Sequence, residues 1–316
     1  MNSNPGRLLI LFLLAPFLAS VSPQALGQRA KRPPAAQTSS RSVIVVRTEP
    51  KATVWLDEIR RGVTDEEGKL TLSKVAAGRH NLRVRARGFK ETSVPIAPAR
   101  RGTIDVKLVR TTDEAELLFQ QAEEARESAR DEEARKQAAE LYRRAIALRP
   151  RSAAAHLGLA RVLLDLNDYN TALEEIERAR QARPVYPEAS AVEGRILRMA
   201  ADTNAAMDSF RRAIREARGF QPEAHTGLAI LLEDKGRYDE AVEEFRAAIS
   251  QLSDTEPVLY QLLGAAYEKL QNYKEAVRAY EKYLELAPQG TLAPAVRSIL
   301  DQLRTQAAEQ EGAANP

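Results

Sequence analysis

The chain has no cysteine among its 316 residues. That excludes disulfide staples, thiolate metal sites, a cysteine nucleophile and a lipidated N-terminal cysteine. Histidine is almost as scarce: only His80, His156 and His225 are present to move protons or hold a metal. There is no Gly-x-x-x-x-Gly-Lys-Ser/Thr phosphate loop, no Gly-x-Ser-x-Gly elbow and no His-Glu-x-x-His pair. Glutamates recur as pairs, at 174–175 and 243–244, where solvation of an exposed helix face explains them without catalysis. These absences predict a protein that is not an enzyme and holds no metal or cofactor. What the chain does have is enough apolar sequence, 44%, to bury a core, with 29% charged residues.

Net charge is only +3, but it is unevenly spread. Residues 1–41 carry five basic and no acidic side chains. Residues 42–110 carry 15 basic against 8 acidic, and the remainder 27 basic against 36 acidic. A basic first part precedes an acidic second part, so the two attract each other or address different partners. A single long apolar run, Leu8 to Val21, follows a weakly basic start and precedes Ala25 and Gly27, spaced as in a small-x-small cleavage site. This layout predicts a secretory signal peptide over residues 1–27. Fourteen residues fall short of the roughly 20 needed for a membrane-spanning helix, so no stable transmembrane segment is expected after cleavage. The alternative is retention as an anchor. Residues 28–41, rich in Pro, Ala, Ser and basic side chains, read as a flexible linker. Its basic residues follow an export signal, so nucleic acid is not expected as a partner. The expected location is outside the cytoplasm of a bacterium: periplasmic, cell-surface or secreted.

From residue 42 to 110 short β-branched runs alternate with Gly, Pro and acidic turns, predicting six or seven strands in an antiparallel β-sandwich. The order of "TEPKATVWLDE", the Gly-x-Thr of "RRGVT", the Gly-x-His of "AAGRH" and the Gly-aromatic of "RGF" resembles PEGA domains. The "TDEEGKL" turn resembles carboxypeptidase-regulatory-like sandwiches equally. The chain departs from the PEGA pattern at Lys51 and at Glu58, where glycine is expected. The resemblance implies an extracytoplasmic sandwich fused to other modules, without catalytic residues. Alternation places Arg83, Arg85 and Arg87 on one strand face, a candidate surface for an anionic polysaccharide or else an ordinary solvated sheet face. Trp55 is either a sugar-stacking ring or a core or edge aromatic.

Beyond residue 111 the chain repeats itself. "NDYNTALEEIERAR", "GRYDEAVEEFRAAI" and "QNYKEAVRAYEKYL" align on a central alanine, giving Ala172, Ala206, Ala241 and Ala276 at spacings of 34, 35 and 35 residues. Four residues later stand Ile176, Phe210, Phe245 and Tyr280. Twelve residues before the alanines stand Ala160, Gly194, Ala229 and Gly264. Helical hairpins account for the pattern: small residues where two helices approach, a bulky one in the wedge beside them. In these features residues 111–290 resemble tetratricopeptide repeats, about five hairpins. The first helix of the first hairpin is expected to be displaced by a charged insertion near residues 127–136. The third hairpin lacks the usual turn, having "MAADTN" instead. Residues 291–310 read as a capping helix and 311–316 as a disordered tail. The expected fold is therefore multidomain, a small all-β sandwich followed by an all-α tetratricopeptide solenoid. His156 and His225 fall at equivalent repeat positions two repeats apart, as packing residues do, and His80 is expected to have no carboxylate constellation.

The resemblance implies that the first helices of successive repeats line a concave groove. It places Arg161, Arg195, Arg198, Glu233 and Gln261 there, beside Leu157, Met199, Ile230 and Val258, so the groove begins basic and ends acidic. The Lys/Asn clamp for a C-terminal carboxylate is absent. The expected function is an exported scaffold that binds a peptide or protein of the cell envelope in this groove while the β-module positions or anchors it. The alternative is a cell-wall or cell-surface polysaccharide binder, with the β-module holding the ligand and the repeats oligomerising.

Overall fold

The computed structural model describes residues 42–316 apart from residues 58, 76–78, 99, 253 and 315–316. The signal peptide and linker expected over residues 1–41 lie outside the described residues.

Seven strands come first: β1 (Ser42–Arg47), β2 (Thr53–Leu56), β3 (Ile59–Val63), β4 (Lys69–Val75), β5 (His80–Arg85), β6 (Thr92–Ile96) and β7 (Gly102–Asp105). They form two small sheets, ordered β4-β1-β7 and β3-β2-β5-β6. Period-2 alternation puts Ile44, Val46, Val54, Leu56, Leu82 and Val84 into one shared core. One pairing departs from the antiparallel expectation: β7 lies parallel to β1, with Ile44 opposite Gly102 and Val46 opposite Ile104. The chain leaves β6 in one sheet and joins the far edge of the other, so β7 arrives by a crossover rather than a hairpin. Thr64, buried after β3, ties the preceding turn. Its hydroxyl donates to the Glu49 carbonyl at 2.7 Å and accepts from the Ala52 amide at 2.8 Å.

Eleven helices follow among the described residues. Five antiparallel pairs are α1 (Glu114–Ser128) with α2 (Glu132–Leu148), α3 (Ala153–Asp165) with α4 (Tyr169–Ala182), α5 (Pro187–Met199) with α6 (Thr203–Ala217), α7 (Pro222–Asp234) with α8 (Tyr238–Leu252), and α9 (Val258–Lys269) with α10 (Tyr273–Leu286). A last helix, α11 (Ala293–Ala314), packs on α10 through Val296, Leu300 and Leu303. It runs on through positions expected to be a disordered tail. The starts are written in the sequence: Asp113, Asp131, Ser152, Asp168, Asp202 and Asn272 each accept an amide hydrogen of the helix they cap, and α5 and α7 open on proline. The charged stretch at 127–136 is mostly helical. It ends α1 and opens the 17-residue α2, and only residues 129–131 turn the chain.

Phe210 shows why small and large residues recur. A β-carbon on Gly194 of its own hairpin would sit 2.7 Å from its ring, and one on Gly227 of the next hairpin 2.3 Å. The ring fills a wedge that two glycines leave open. Tyr280 against Gly264, and Tyr142 against Gly158, repeat the arrangement.

Candidate functional site

The β-module is fastened to the first hairpin. The buried Gln120 of α1 accepts from the Gly88 amide at 3.0 Å and donates to the Phe89 carbonyl at 2.6 Å. Beside it Arg85 reaches across from β5 to Glu123 of α1 at 3.1 Å, and Glu123 also accepts from the Tyr142 hydroxyl. Burial opposes the Glu123 charge, yet Arg85 and Arg126, with that hydroxyl, hold its carboxyl down at about 2.

This junction corrects the reading of the arginine strand. Arg83 and Arg85 share one side of β5, where Arg85 meets α1 rather than solvent, while Arg87 lies past the strand in the following turn. Arg83 and Arg85 are only 18% and 12% exposed and share Glu91, at 3.1 and 2.8 Å. Their guanidinium carbons lie 4.2 and 5.1 Å from the centroid of Trp55, which is buried beneath them. Arg87 alone is open, 4.0 Å from Glu124. Nothing in the strand's own alternation marks the partner surface, because Glu123 and Phe119 stand some 35 residues further on. His80 likewise has a carboxylate neighbour after all: its Nδ1 is 2.5 Å from Asp57, whose other oxygen accepts from the Asn81 amide.

Two hollows border the first helices of the hairpins. The first is a cavity of about 410 Å³ across α5, α7 and α9. Its floor is Thr226, Ile230, Val258 and Leu259, with Val258 43% exposed, and its rim carries Arg195, Arg198, Glu223 and Glu256. Arg195 is spent on Glu223 at 3.3 Å, whereas Arg198 makes no ion pair among the described residues. The second is a cleft of about 580 Å³ between the β2-β5-β6 face and helices α1, α3 and α5. Arg161 stands in this cleft rather than in the groove, and Leu157 is not open groove surface, being 2% exposed in the cleft wall.

Glu233 and Gln261 line neither hollow. Both are half-buried; burial, reinforced by Asp234, raises the Glu233 carboxyl. His156 and His225 each place Nδ1 against a glutamate of the paired helix, at 2.6 Å from Glu175 and 2.5 Å from Glu244. Burial disfavours the His156 charge, but hydrogen bonds to Glu175 and the Pro150 carbonyl outweigh it and raise its pKa. Among the described residues no group of three His, Asp or Glu side chains converges to hold a metal ion.

Two tetratricopeptide-repeat family models match the chain, over residues 129–196 and 220–289. The helical part is therefore a tetratricopeptide solenoid. No curated protein sequence matches the chain. Among solved structures, pilF of Pseudomonas aeruginosa is similar at 18% identity and a TM-score of 0.53, covering 62% of this chain and 87% of that one. MamA is 24% identical, with 53% of this chain and 95% of that one covered and a TM-score of 0.45. YrrB, described as a TPR protein with an unusual peptide-binding site, is 20% identical over 60% of this chain and 94% of its own, with a TM-score of 0.45. At these identities the likeness is one of fold.

Proposed function

We propose that this chain is an exported interaction scaffold whose groove across α5, α7 and α9 receives an extended or amphipathic segment of a cell-envelope protein. The observation that carries the reading is an apolar floor at Ile230 and Val258, open beside Arg198, a cation without an ion pair among the described residues. Such a surface gives a peptide an apolar anchor and a charge that fixes its register. Export rests on the leader-like sequence of residues 1–27, and an envelope partner follows from export. The likeness of residues 42–110 to PEGA domains agrees with an extracytoplasmic setting. The polysaccharide reading loses its ground in Arg83 and Arg85, whose charges are committed to Glu91 and Glu123.

The test is crosslinked capture from envelope extract. The bait is the full chain, because α1 is fastened to the β-module, beside Arg198→Glu and Val258→Asp versions. A protein captured by the first and lost with both variants supports the groove. Capture that ignores both variants, or no specific capture, sinks it.

A further inference from the structure

The groove and the interdomain cleft are not separate hollows. Pro222 and Glu223, at the start of α7, line both, so the path runs on from α9 to the β-sandwich. Crossing from α3 to α9 spans three helix spacings, roughly 25–30 Å. That suits about eight residues of extended chain at about 3.3 Å each, and is far longer than a small ligand. Half of the charged side chains in the cleft are closed on one another: Arg83 and Arg85 on Glu91, Arg85 and Arg126 on Glu123. Arg161 differs. It is half-buried in the cleft wall and makes no ion pair or hydrogen bond among the described residues. Beside it the ring of Tyr186 is buried, and its hydroxyl makes no hydrogen bond among those residues. From the opposite wall the exposed Ser93 of β6 faces in, on the same sheet face as Arg83.

Resting on the groove reading above, we propose that the cleft is a second recognition subsite, walled on one side by the β-sandwich, that takes a carboxylate side chain of the same extended segment on Arg161 and the Tyr186 hydroxyl. A guanidinium with a phenol donor beside it matches a carboxylate with two acceptor oxygens. Glu188, two residues past Tyr186 in the same wall, is itself an acid with one oxygen buried and without a hydrogen-bond partner, so the cations of the cleft have room for one ligand carboxylate rather than an acidic run. Arg183 is held over the Tyr186 ring at 4.3 Å and lends the subsite positive charge without facing the ligand alone. The segment that fits has an apolar residue for Ile230 and Val258 and one acid several residues away, toward the β-module.

The experiment pans a phage-displayed library of random 12-residue peptides against the full chain, then measures the consensus peptide by fluorescence anisotropy. The expected consensus pairs one Asp or Glu with a spaced apolar residue. Replacing that acid by its amide weakens binding to the wild type about tenfold and leaves binding to Arg161→Gln unchanged. Ser93→Arg, which fills the cleft from the β-side with no core atom moved, also weakens binding tenfold or more. If Ser93→Arg and Arg161→Gln bind the consensus as the wild type does while Val258→Asp does not, the subsite is overturned and the groove stands. If panning yields no consensus, or Val258→Asp binds normally, the groove reading falls and the subsite with it.

Discussion

At one repeat position of four hairpins the backbone is left-handed, at a cost to the three residues there that are not glycine. Asn167, Ala201, Gly236 and Gln271 turn the chain between paired helices with φ of 61°, 61°, 71° and 57°. The residue after each donates its amide to a carbonyl five residues back, at 2.9 Å in all four hairpins. Only one of the four is glycine, and an L-residue held at positive φ costs on the order of 1 kcal/mol. Ala201→Gly and Gln271→Gly are therefore expected to stabilise the solenoid by roughly 0.5–1 kcal/mol each, measured as a rise in chemical denaturation midpoint. The unusual "MAADTN" sequence forms the same turn as its neighbours, with Asp202 accepting from the Ala205 amide. Glu123 makes the second residue-scale case. Its carboxyl is held near 2 in the folded chain, so the stabilisation is complete above the ordinary carboxylate range and is lost as pH falls toward 2. Glu123→Gln should cost about 3 kcal/mol near neutral pH. The gap in melting temperature between the two proteins should narrow below about pH 4; a gap independent of pH would contradict the assignment.

At the scale of the element, stability lies in the wedges between helices. Phe210 touches the space above Gly194 and Gly227 at once, so it joins two hairpins as well as two helices. Gly227→Ala improves helix propensity, yet its methyl would meet the ring at 2.3 Å. The expected net effect is a loss of about 1–3 kcal/mol from overpacking, read by calorimetry. A neutral or stabilising outcome would mean that the ring swings aside freely. Because each hairpin is buried by its neighbours, such a lesion should lower the whole transition rather than melt one pair.

The whole molecule is organised by the junction of its two parts. The opposite charge balances of the two parts meet at one place, where Arg85 crosses to Glu123, and Gln120 locks onto the backbone at Gly88 and Phe89. Arg85→Ala with Gln120→Ala should free the sandwich from α1. Limited proteolysis between residues 106 and 113 should accelerate at least tenfold, with far-ultraviolet circular dichroism at room temperature unchanged. Cleavage at the wild-type rate would show that the two parts are held by other contacts.

Sequence alone determined the repeat, because a helical hairpin that must stack on copies of itself imposes a period near 34 residues on its small and large side chains. It likewise determined the strands, through alternation about a shared core, and most helix starts, through a capping Asp, Asn or Ser. The parallel seating of β7, the burial of Arg83 and Arg85, the Asp57–His80 pair and the cleft at Arg161 were decided only by tertiary structure. Each joins residues far apart in the chain or on different elements, and periodicity reports which face a side chain occupies but not what comes to lie against it.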